Sequence, residues 1–156
     1  MLDGSGDDVS VYFELMKSFV SRIVGKMDID SGSTRVGLVI YSSGVETSFN
    51  LDTYSNVTLI QSAVRSLTYY PGTTNTAAAL AFVRESMLTP EAGDRSNVSN
   101  VVIVLIDGNS DNRTATRVSG TLMLLQKIFD NNSETVLTSS SSSSQNIYNT
   151  PIANEL

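Results

Sequence analysis

Apolar residues near the start of the chain recur at helical spacing. Val11, Leu15, Met16, Phe19, Val20, Ile23 and Val24 form one stripe, which predicts a helix over Ser10 to Val24. Gly25 punctuates it, and Asp30-Ser31-Gly32-Ser33 reads as a turn. The pattern then changes. Val36-Gly37-Leu38-Val39-Ile40-Tyr41 is a continuous apolar run, as expected for a strand covered on both faces. After Ser42-Ser43-Gly44, the residues Val45, Thr47, Phe49 and Leu51 alternate with Glu46, Ser48 and Asn50. A period of two predicts a half-exposed strand that closes an antiparallel hairpin at a sheet edge.

Two further helices follow, one using Val57, Ile60, Val64 and Leu67, the other running from about Asn75 to Leu88 with Ala79, Phe82, Val83 and Met87 inward. Val101 to Ile106 is apolar throughout and ends at Asp107-Gly108, the pattern of a central parallel strand. Arg117 to Phe129 predicts a last helix through Val118, Leu122, Leu125 and Phe129. Beyond Asn131 the periodicity fails, and the serine run Ser139 to Ser144 reads as linker or disorder. The expected organisation is one domain over residues 1–130 and a Ser-rich tail over residues 131–156. Strands alternating with helices imply a three-layer, doubly wound (Rossmann-like) α/β domain, its mainly parallel sheet carrying one antiparallel edge strand. Binding sites in such sheets form where loops leave the carboxyl ends of the strands. Two acidic loops fall there, Asp3 to Asp8 and Asp107 to Asp111.

Composition narrows the chemistry. With 156 residues the chain has the size of one ordinary domain, and its net charge of −6 repels phosphate backbones, so nucleic acid is not an expected partner. Histidine and cysteine are both absent. Their absence removes Ser-His-Asp and Cys-His catalysis, histidine-bound zinc, iron–sulfur clusters and disulfides together. A metal held here must be held by oxygen, which favours Mg²⁺, Ca²⁺ or Mn²⁺. No stretch approaches the ~18–20 apolar residues of a membrane span, and no hydrophobic leader follows Met1.

Three segments rich in hard oxygen donors lie beside predicted strand ends: Asp3-Gly4-Ser5-Gly6-Asp7, Thr73-Thr74-Asn75-Thr76 and Asp107-Gly108. Each alone is an ordinary turn. Together they resemble the metal-ion-dependent adhesion site of von Willebrand factor type A domains. That site combines an Asp-x-Ser-x-Ser loop, a threonine before a helix, and an aspartate after a hydrophobic strand. The segments between them, Phe13 to Val20, Thr34 to Val39 and Gly72 to Leu80, resemble the matrix-protein branch found in collagens and matrilins. The resemblance covers residues 2 to about 112. It implies that Asp3 and Ser5 are first-loop ligands, Thr74 the threonine and Asp107 the last carboxylate. A divalent cation would keep one position open for an acidic residue of an extracellular matrix or cell-surface partner. The implied role is a secreted adhesion and protein-binding module.

The chain departs from the family pattern in three places. Asp7 stands at the second serine position, which makes the site more anionic and favours Ca²⁺ over Mg²⁺. The strand expected before Asp3 is missing apart from Leu2, and nothing after Phe129 resembles the last strands, so an incomplete sheet is expected. Two alternatives to a working adhesion site are a structural matrix domain with a lapsed metal site and a Mg²⁺-dependent hydrolase using Asp3. A hydrolase would need basic residues for phosphate charge, and the nearest downstream is Lys17. An enzyme is therefore not expected. Glycosylation acceptors occur at Asn56, Asn97, Asn112 and Asn131, but with 12 asparagines among many serines and threonines about three would arise by chance. Tyr69-Tyr70-Pro71, just ahead of Thr74, reads as a packed corner, with contact to a partner as the alternative.

Overall fold

In the computed structural model, residues 1–3, 10–106, 110–129 and 134–140 are described. The elements are β1 (Leu2–Asp3), α1 (Ser10–Val24), β2 (Leu38–Tyr41), β3 (Val45–Phe49), α2 (Val57–Arg65), α3 (Thr76–Phe82), β4 (Asn100–Ile106), α4 (Arg113–Phe129) and β5 (Glu134–Ser140). A single sheet of order β3-β2-β1-β4-β5 runs through the molecule. β1 is parallel to both its neighbours, β4 is parallel to β5, and the edge strand β3 is antiparallel to β2. This is the doubly wound α/β arrangement implied by the sequence.

The period-two geometry of β2 decides which layer each side chain joins. Leu38 and Ile40 pack with Phe13 and Val24 of α1 and with Ile60 and Val64 of α2. Val39 and Tyr41 face the other way, into a cluster with Ala79 and Leu80 of α3 and with Val83 and Met87. β4 divides likewise, with Leu105 toward α1 and α2, and with Val102 and Val104 toward α3. A strand buried on both faces cannot alternate polar and apolar residues, which is why β2 and β4 read as continuous apolar runs.

β1 is short but central. Leu2 pairs with Ile40 on one side and Leu105 on the other, and it is 1% exposed. Behind it, a cavity of about 430 Å³ reaches from Val36–Leu38 to Asn100–Ile103, with Phe19, Ile23 and Met27 along one wall. Met1 enters this space, its amino group donating to the Ile103 carbonyl at 2.8 Å while its own carbonyl accepts from Leu105 N–H at 3.1 Å.

Three expectations are corrected. Residues 134–140, read as tail, form β5, paired with β4 from Asn100↔Glu134 to Ile106↔Ser140. Thr135-Val136-Leu137-Thr138 has strand-forming residues but no helical or alternating period, and the backbone edge of β4 supplies what the pattern lacks. α4 begins at Arg113 rather than Arg117, because Asn112 Oδ1 accepts from Ala115 N–H and caps a first turn that carries no apolar stripe. The helix expected to reach Leu88 remains α-helical to Phe82 and then widens into a π turn over Val83–Met87, closed by Leu88 N–H to Val83 O at 2.9 Å.

Candidate metal centre

The carboxyl ends of β1, β2 and β4 lie side by side. Asp3, the last residue of β1, pairs with Tyr41, the last of β2, and Leu2 pairs with Leu105, the penultimate residue of β4. Asp107 follows β4 directly in the chain. β1 lies between β2 and β4, and α1 packs on one face of the sheet, so this end is a topological switch point, the place where doubly wound sheets bind their ligands.

The loop of residues 72–76 is brought to the same end by the turn after β2. Thr73 N–H donates to Ser43 Oγ at 3.1 Å, Asn75 N–H to the Ser42 carbonyl at 2.8 Å, and Asn75 Nδ2 to the Ser43 carbonyl at 3.2 Å. Ser42 is 1% exposed, and its hydroxyl donates to Glu46 Oε1 at 2.6 Å. Beneath them, the Tyr41 and Thr76 hydroxyls share a buried hydrogen bond of 3.2 Å. Gly72 makes this contact possible. A Cβ there would stand 2.8 Å from Ser43 Oγ and 2.9 Å from Ser42 Oγ. Asn75 also caps α3, its Oδ1 accepting from Ala78 N–H at 3.1 Å.

On the far side, Thr74 meets the loop after β4. Its N–H donates to Asp111 Oδ1 at 2.9 Å, and its carbonyl accepts from Asp111 N–H at 3.0 Å. Ser110 and Asn112, on either side of Asp111, are tied to α4 through Thr116 Oγ1 at 2.7 Å and Ala115 N–H at 2.9 Å.

Of the five candidate ligands, the structure places the backbone of Asp3 and the whole of Thr74 at this end. Ser5, Asp7 and Asp107 lie outside the described residues. Among the described residues no group of three or more His, Cys, Asp or Glu is arranged to hold a metal. The donor chemistry here suits a hard cation: half-buried Thr74 with a hydroxyl, and carboxylates on the loops leaving β1 and β4. In the sequence alone, Asp111 is only the end of an acidic loop and Ser42-Ser43 only a turn. Their roles depend on partners about thirty residues or more away, at separations of 37 for Asp111 and 30 for Ser43. Asn56, Asn97 and Asn112 are exposed, two of them as helix caps, and Asn131 lies outside the described residues.

Comparison with known proteins agrees with this architecture. The von Willebrand factor type A domain model matches residues 1–149, and the chain belongs to that family. Human matrilin-1 is 37% identical over 110 residues, covering 70% of this chain and 22% of that protein. The human collagen alpha-1(XX) chain is 35% identical over 120 residues, covering 76% of this chain and 9% of that one. These relatives are of the extracellular-matrix kind. This chain spans about a quarter or less of the length of the curated relatives it matches. Proximal thread matrix protein 1 of the mussel byssus shares the fold with a TM-score of 0.78 at 22% identity, over 89% of this chain and 35% of that one. Another structure of that mussel protein, 21% identical, has zinc in its MIDAS motif.

Proposed function

We propose that this domain is a cation-dependent binding module of an extracellular matrix or cell-surface protein, its cation held by Asp3, Ser5, Asp7, Thr74 and Asp107. The observation that supports this most directly is that the carboxyl ends of β1 and β4 and the loop of Thr74 lie at one end of the sheet. Asp3 and Asp107 leave adjacent parallel strands, and Thr74 is hydrogen-bonded to the loop that carries Asp107. When bound, the ion supplies an open coordination position that a carboxylate of the partner fills. It thereby joins two acidic surfaces that would otherwise repel, this chain carrying a net charge of −6. The backbone of Thr74 is held by Asp111 and its neighbours Thr73 and Asn75 by Ser43 and Ser42, which supports a pre-ordered position for this ligand.

The all-oxygen donor set supports Mg²⁺, Ca²⁺ or Mn²⁺ as the ion. The matrix proteins among its relatives support a secreted location and a matrix partner, and they support binding rather than catalysis. Calorimetric titration with each of the three ions tests the reading. Binding with a stoichiometry of one, lost in Asp107→Ala, is expected. Equal binding by the variant would overturn the ligand assignment, and no binding by the unaltered chain would favour a structural matrix domain whose site has lapsed.

A further inference from the structure

We infer that Asp111 is the positioning residue of the cation site: it sets where Thr74 stands relative to the loop of Asp107. The inference rests on the adhesion-site reading above and adds a residue outside the proposed ligand set.

Both peptide groups of Thr74 are engaged by this one residue. The Thr74 N–H donates to Asp111 Oδ1 at 2.9 Å, and Asp111 N–H donates back to the Thr74 carbonyl at 3.0 Å. Two bonds of opposite sense fix both the separation and the rotation of one loop against the other, where a single bond would leave a pivot. The two loops are anchored on opposite sides of the sheet centre. Thr73 and Asn75 are held by Ser43 and Ser42 at the end of β2, while Ser110 and Asn112 are held by α4. Asp111 therefore joins the β2 half of the site to the β4 half. Among the described residues no lysine or arginine forms an ion pair with it. Its carboxylate is directed to a neutral backbone donor, which is the task of a residue that orients a ligand. Metal ligands rely on such outer partners for their geometry, and losing one typically costs ~10–100-fold in metal affinity.

The test is a Mn²⁺ titration of the full chain followed by electron paramagnetic resonance, with hydrogen exchange at the Thr74 amide measured alongside. It uses Asp111→Ala and Asp111→Asn at a temperature where dichroism shows both folded. Asp111→Asn keeps an oxygen that accepts from Thr74 N–H but removes the charge. Asp111→Ala removes both. The expected result is Mn²⁺ affinity about 10–100-fold weaker in Asp111→Ala and within a few-fold of the parent in Asp111→Asn, with Thr74 protection lost in the first and kept in the second. A role limited to overall stability would leave the affinity of the folded variants unchanged, and that result would overturn the inference. Equal loss in both variants would also overturn it, because charge rather than orientation would then matter. If the unaltered chain binds no Mn²⁺, the adhesion-site reading fails. The exchange data then decide the positioning role separately: protection lost only in Asp111→Ala supports it, and unchanged protection overturns it.

Discussion

The ammonium of Lys17, on α1, reaches the last turn of α2, donating to the Arg65 carbonyl at 3.2 Å and the Leu67 carbonyl at 3.3 Å. A helix leaves its final carbonyls without internal partners, and a cation at that end also meets the negative pole of the helix dipole. Lys17 is 8% exposed, lies over the Phe13 ring at 5.5 Å, and pairs with Glu14 at 2.7 Å. Replacing Lys17 with Met should keep most of the packing but leave the carbonyls without this donor, at a cost of about 1–3 kcal/mol. Glu14 is exposed, so Glu14→Ala should cost less than ~1 kcal/mol. Urea unfolding of both variants measures the difference, and equal losses would show that the ion pair, rather than the carbonyl cap, matters.

Gly93 and Gly32 both have positive φ, at 88° and 80°, but their surroundings differ. A Cβ at Gly93 would lie 2.8 Å from the backbone nitrogen of Asp52, whereas nothing stands within 4 Å of one at Gly32. Gly32→Ala should therefore cost only the left-handed backbone penalty, about 1–2 kcal/mol. Gly93→Ala adds a clash with main chain that cannot rotate away, and it should cost clearly more. It also disturbs the Arg35 guanidinium, which donates to the Gly93 carbonyl at 2.6 Å. Thermal unfolding of the two variants should rank them in that order.

In a chain whose first residue is Met1, the free amino group is desolvated beside β4 and pulled down from its ordinary 8.0 to about 5. Between these values the unfolded chain holds a proton that the folded chain has released, so stability rises with pH across the window from 5 to 8. Below it both states are protonated, and the full penalty, on the order of 4 kcal/mol, applies. Urea midpoints at the two ends of the window should differ accordingly. Acetylating the amino group, or joining Met1 to a preceding residue, removes the charge and should flatten this part of the profile.

Asp7 adds a carboxylate where the family pattern has a hydroxyl, and so should raise preference for Ca²⁺ over Mg²⁺. In Asp7→Ser, the ratio of Mg²⁺ to Ca²⁺ affinity should rise several-fold in parallel calorimetric titrations. An unchanged ratio would mean that Asp7 does not reach the ion.

Much of the fold is legible in the order of residues because burial leaves a local imprint. A strand covered on both faces must be apolar at every covered position, so Leu38–Tyr41 and residues 102–106 declare themselves. An edge strand covered on one face must alternate, so Val45–Phe49 does too. The oxygen-only chemistry follows from the absence of histidine and cysteine, and the resemblance to an adhesion site, which implies Asp3, Ser5, Thr74 and Asp107 as ligands, is carried by those residues together with the segments between them. What the tertiary structure decided depends on partners distant in the chain. β5 has no period of its own and exists because β4 offers a backbone edge. Ser42 and Ser43 are turn residues until the loop made close by Gly72 folds against them. Asp111 is one acid among several until Thr74, 37 residues earlier, turns both its peptide groups toward it. Side-chain periodicity records which face of an element is buried, whereas a backbone hydrogen bond between distant segments leaves no periodic trace and is fixed only when packing brings the two together.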